Sequence, residues 1–136
     1  MAYIAKLIST GGRDGKIKSE DGSFSLDIKH PVDGKQPSGS YNPELLLAGA
    51  AVACYNGAFL YHLEKAGKST EGIEMHAEVQ LKTDSRDKEN MLSLKLTPVA
   101  PHLSKEEIKE FADKADKTCP YTKLFRGEAE YEIVKG

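Results

Sequence analysis

Four side chains in this sequence have the types and surroundings that chemistry needs: Cys54, Cys119, Arg13 and Glu44. Cys54 sits in the apolar stretch GAAVACYNGAF, where a thiol has two readings. It packs as a small hydrophobe, or it is a nucleophile, because an ionised thiol attacks electrophilic oxygen and sulfur. Cys119 is followed by Pro120, a residue suited to the first position of a helix, so its sulfur is expected beside unpaired backbone N–H groups that lower a thiol's pKa. Arg13 lies in GGRDG, whose glycines permit unusual backbone angles and let a guanidinium project from the turn; a solvated hairpin tip is the plain alternative. Glu44 follows Asn42-Pro43, and its plain role is to complement the positive end of a helix.

The elements that must hold these residues are legible from pattern. Residues 3–8 and 16–19 read as short strands flanking the glycine turn. Phe24, Leu26 and Ile28 alternate with polar neighbours after Asp21-Gly22, as a half-buried strand would. Residues 30–41, with two prolines and two glycines, read as a loop. Asn42 then caps a helix expected to run to Ala66 and stop at Gly67. Its first half is apolar on nearly every side, which predicts burial all round. Ile73, Met75, Ala77, Val79 and Leu81 alternate, as do Leu92, Leu94 and Leu96, predicting two paired strands. Ser104 and Glu107 form a capping box before a second, amphipathic helix ending near Lys117. Residues 128–134 read as a closing strand. The fold class is α+β, and 136 residues point to a single domain over 1–136.

Composition excludes several roles. Nineteen basic and twenty-one acidic residues give a net charge of −2 with no basic stripe, which argues against nucleic acid as a partner. Lys6 and the glycines after it interrupt the apolar stretch a secretory signal needs, so a cytoplasmic location is expected. The apolar run 45–55 is eleven residues, against about 20 for a membrane span, and is read as a buried helix rather than a membrane segment. Neither cysteine has a second Cys or a His within four residues, and the four histidines show no ligand spacing, so no metal or other cofactor is implied. In a reducing compartment the two thiols are inert core residues or redox-active ones.

Three segments carry a resemblance. STGGRDGK, YNPELLLAGAAVACYNGA and KTCPYTKLFRG resemble, in order and at suitable separations, the signature regions of the organic hydroperoxide resistance proteins of the osmotically inducible protein C superfamily. Cys-Pro-Tyr and Gly-Gly-Arg-Asp-Gly point to the hydroperoxide resistance branch. Leu45 stands where that family commonly carries Gln, and Thr122 where Ser is frequent. The resemblance implies a peroxidase in which Cys54 attacks an organic hydroperoxide, Cys119 resolves the oxidised thiol as a Cys54–Cys119 disulfide, and Arg13 with Glu44 activates Cys54. It further implies an intertwined homodimer whose antiparallel sheets wrap long central helices, and re-reduction by a dithiol, such as a lipoylated protein. Leu45 to Leu47 and Phe59 are expected to wall a pocket for an alkyl or fatty-acid tail. A non-catalytic redox sensor and a hydrophobic-ligand module are the rival readings.

Helix geometry adds one expectation. Glu44 and Cys54 are ten residues apart, roughly 15 Å along an unbroken helix and on different faces. Gly49, Ala53 and Gly57 recur every four residues and form a strip along which a second helix could approach. If that helix belongs to a two-fold partner, Glu44 of one chain serves Cys54 of the other. The alternatives are that Glu44 only starts the helix, or that the helix breaks near Gly49.

Overall fold

The computed structural model describes residues 3–136, which divide into two compact units, one up to Leu47 and one from Ala48 onward. In the first, β1 (Ile8–Thr10), β2 (Gly15–Lys18) and β3 (Ser25–Ile28) form an antiparallel sheet in that order. Ser9 faces Ile17 across β1–β2, and Ile17 faces Leu26 across β2–β3. Ile28 is buried and ends the sheet in a bridge to Tyr41, which closes the 30–41 loop on itself. Gln36 braces that loop, donating to Lys29 O and Ser40 Oγ and accepting from Asn42 Nδ2.

Helix α1 spans Pro43–Lys65. Its start follows the expected chemistry: Asn42 Oδ1 accepts the Leu45 N–H at 2.8 Å, and Pro43 fills the first position without losing a bond. Its end does too. Gly67 takes φ +73°, Gly67 N–H donates to Glu64 O and Lys68 N–H to Leu63 O, the paired bonds that close a helix on a left-handed residue. The helix runs without interruption through Gly49 and Gly57, so the alternative of a break near Gly49 is removed.

The second unit is built on α1 from Ala48 onward. A hairpin of β4 (Glu74–Thr83) and β5 (Asn90–Val99) pairs antiparallel over ten positions, with Met75, Ala77, Val79, Leu94 and Leu96 facing inward as their alternation requires. Helix α2 (Lys105–Thr118) opens with the capping box: Ser104 Oγ accepts from Glu107 N–H and Glu107 Oε1 from Ser104 N–H. A six-residue helix, α3 (Pro120–Phe125), follows after the single residue Cys119. Tyr55, Phe59 and Leu63 of α1 pack with Leu103, Phe111, Ala115 and Cys119 into one core, joined by Met75 and Leu96 of the hairpin.

Three expectations fail, each for a physical reason. The burial of α1 is one-sided: Ala51, Tyr55, Phe59 and Leu63 are buried, while Leu45, Gly49, Ala53, Gly57 and Tyr61 form an exposed stripe. By length and composition α1 could cross a bilayer, but Phe59 and Leu63 on it are fully buried in the core. Residues 128–134 form no strand, and residues 3–7 join none. Residues 128–134 alternate and residues 3–7 are largely apolar, yet neither has a partner among the described residues, and Tyr3, Ile4, Tyr131, Ile133 and Val134 stand exposed. Phe59, expected as a pocket wall, is fully buried in the core.

Candidate active site

The structure gathers the four singled-out residues into two pairs, one in each unit. The first is Arg13 with Glu44. Arg13 occupies a three-residue helical turn, Gly12–Asp14, between β1 and β2. The strands close tightly beneath it: a side chain at Gly15 would place its Cβ 1.8 Å from Thr10 O, and Gly11 turns with φ +79°. Asp14 ties the turn to the following loop, with Oδ2 at 2.8 Å from His30 Nδ1. From this seat the guanidinium meets the Glu44 carboxylate as a fork, Nη1 to Oε2 at 3.1 Å and Nη2 to Oε1 at 2.8 Å.

The hydrogen bond from Arg13 holds the Glu44 carboxyl below its usual range despite the opposing effect of burial, with smaller help from Arg13 and His30 charge. The same bond makes Arg13 keep its proton more firmly. Both groups are charged at any pH where a thiol reacts, so the fork is an oriented cation whose remaining N–H groups have no other partner among the described residues.

The second pair is Cys54 with Cys119. Cys54 lies on α1, half-buried against the core, and Cys119 is wholly buried at the joint of α2 and α3. The Cys119 thiol points at Cys54 across a sequence gap of 65, with the two sulfurs 3.5 Å apart. Burial pushes the Cys54 thiol up; the hydrogen bond and charge of Cys119 add to this, and the Tyr121 backbone works weakly the other way.

Pro120 does stand at the first position of a helix, with Cys119 as its N-cap residue, but the Cys119 side chain makes no cap bond to an N–H there. The Asp14–His30 tie had no sequence signal, because the two residues are separated by a whole strand pair. What the arrangement can do is thiol redox chemistry: two sulfurs within reach of a bond, and a fixed cation–carboxylate fork.

A family model described as OsmC-like protein matches residues 34–134. The chain is 34% identical over 132 residues to organic hydroperoxide resistance protein-like 2 of Staphylococcus saprophyticus, an alignment covering 96% of this chain and 93% of that one. It is 32% identical over 131 residues to organic hydroperoxide resistance protein OhrB of Bacillus subtilis, covering 96% of each. The crystal structure of that OhrB superposes with a TM-score of 0.79 at 31% identity, covering 92% of both chains.

Proposed function

Because the chain belongs to the OsmC-like protein family, we propose that it is a thiol-dependent peroxidase that reduces organic hydroperoxides to alcohols, with Cys54 as attacking thiolate and Cys119 as resolving thiol. The observation that carries this reading is the 3.5 Å approach of the two sulfurs from positions 65 residues apart. Relatives named for organic hydroperoxide resistance support the substrate class.

The chemistry follows from the groups present. The Cys54 thiolate attacks one peroxide oxygen, the O–O bond breaks, and the alkoxide leaves as the alcohol with a proton. Cys54 becomes a sulfenic acid and condenses with the Cys119 thiol, releasing water and forming the disulfide. A dithiol then restores both thiols; a lipoylated protein has the right chemistry. Burial and Cys119 disfavour the Cys54 thiolate, so a cation is needed, and Arg13 in its carboxylate fork is the group suited to it. Its N–H groups would also hold the peroxide oxygens as charge shifts to the leaving one.

The working form in this reading is an intertwined homodimer. Its support is the exposed α1 stripe of Leu45, Gly49, Ala53, Gly57 and Tyr61, and the segments 3–7 and 128–134, which join no strand among the described residues and fit strand exchange with a second copy. Since α1 is unbroken between Glu44 and Cys54, each site would combine Glu44 of one chain with Cys54 of the other. The cytoplasm, where thiols are kept reduced, fits the cycle.

The test is turnover. With dihydrolipoamide as electron donor, the purified protein should consume tert-butyl or fatty-acid hydroperoxide repeatedly, and hydrogen peroxide more slowly. A redox switch or a ligand-binding module would react at most once per chain, and that result would sink the proposal.

A further inference from the structure

The chain turns from α2 to α3 on one residue, Cys119. That corner carries a local defect. Were α2 to continue, the Asp116 carbonyl would accept the N–H four residues on, but position 120 is a proline and has none. Two side chains from beyond the corner take the orphaned oxygen instead. Thr122 Oγ1 donates to Asp116 O at 2.8 Å, and Arg126 Nη1 donates to it at 3.0 Å while also reaching Asp116 Oδ1 at 2.6 Å. Thr122 is only 8% exposed, so water does not replace its hydroxyl once removed.

We infer that Thr122 and Arg126 are positioning residues for the resolving thiol: by gripping the Asp116 carbonyl they fix the corner that holds Cys119 Sγ 3.5 Å from Cys54. This rests on the two-cysteine cycle proposed above. In that cycle the S–S bond forms as the Cys54 S–O bond breaks, the hydroxyl leaves with the Cys119 proton as water, and no outside electron is needed. The sulfurs must close from 3.5 Å to about 2 Å. A loosened corner leaves the sulfenic acid waiting, and a second hydroperoxide then oxidises it to sulfinic acid.

Two measurements on Thr122→Val, Thr122→Ser and Arg126→Met test this. The first is the equilibrium of the reduced protein with oxidised dithiothreitol, in which Cys54 and Cys119 pass two electrons and two protons to the reagent and form their own disulfide. Thr122→Val should shift it about fivefold toward the dithiol, the factor for one net hydrogen bond, and Thr122→Ser should restore it. The second is the share of Cys54 found as sulfinic acid after hydroperoxide, which should rise in Thr122→Val and Arg126→Met. Lower thermal stability with wild-type equilibrium and wild-type sulfinic share would overturn the inference, leaving these side chains a merely structural part. If the native protein forms the disulfide with the reagent yet never reacts with hydroperoxide, the peroxidase reading fails and the equilibrium alone still judges the corner. Arg126 is one-third exposed, so its variant serves if Thr122→Val does not fold.

Discussion

Arg13 and Glu44 meet through two parallel hydrogen bonds, 3.1 and 2.8 Å long, that join a turn between two strands to the first turn of α1. A planar guanidinium fits such a fork and an ammonium does not. Arg13→Ala should raise the pKa of the Cys54 thiol and lower kcat/KM by roughly a hundredfold or more, as loss of an oriented cationic donor does. Arg13→Lys should keep part of the pKa effect and little of the rate. Thiol alkylation of the reduced protein as a function of pH reads the first effect, and an unchanged profile in Arg13→Ala removes the arginine from the site.

Cys54→Ser should abolish turnover, since a serine hydroxyl is a far poorer nucleophile at neutral pH. Cys119→Ser should complete one reduction and then accumulate sulfinic acid on Cys54. Mass spectrometry after one equivalent of hydroperoxide should find the disulfide in the native chain; two free thiols there would contradict the cycle.

A Glu44→Ala chain co-expressed with a Cys54→Ser chain should give heterodimers with one restored site, close to half the native activity per dimer. Isolated heterodimers as inactive as both parents would rule out sites shared between subunits.

Gly57→Leu isolates the exposed stripe of α1. A Cβ at Gly57 meets nothing within 4 Å in the protomer, and leucine favours a helix over glycine by about 0.8 kcal/mol. The lone protomer should therefore gain stability. If a second helix approaches there, the substitution should instead lower the Tm and shift the solution mass toward the protomer, measured by sedimentation. A more stable chain of unchanged mass would mean the stripe is not covered.

Stability against pH should report Glu107. The Lys68 ammonium, and next the Ser104 N–H, pull its carboxyl down from 4.5 to about 2. Its folded-state pKa is depressed, so its contribution is present above pH 4.5 and is lost as pH falls toward about 2. The native Tm should drop through that window more steeply than that of Glu107→Gln; parallel curves would show that the pair contributes nothing.

Much of the frame was legible because its causes are local. Asn42 as a cap, Gly67 as a stop, the Ser104–Glu107 box and the alternation of β4 and β5 each depend on a few neighbouring residues, and the structure has them all. The end segments were misread because an apolar or alternating run declares a wish to pair and does not name a partner. Phe59 was misplaced because an apolar residue on a helix looks the same facing a cleft or a core. The grip of Thr122 and Arg126 on Asp116 lay hidden because it depends on where α2 ends relative to Pro120, and pattern locates helix ends only to within a few residues.

The tight crossing at Gly15 has a consequence for how this sequence can vary. Any side chain there would have to force Thr10 O away from 1.8 Å, which means parting β1 from β2 and unseating Arg13. At Gly12 nothing lies within 4 Å of a new Cβ, and φ +60° is an angle that asparagine and aspartate accept. In a randomised library selected for survival under hydroperoxide, position 15 should come back as glycine alone. Position 12, three residues away on the same turn, should drift to Asn and Asp. The arginine's address is thus written in the backbone at one glycine and left open to revision at the other.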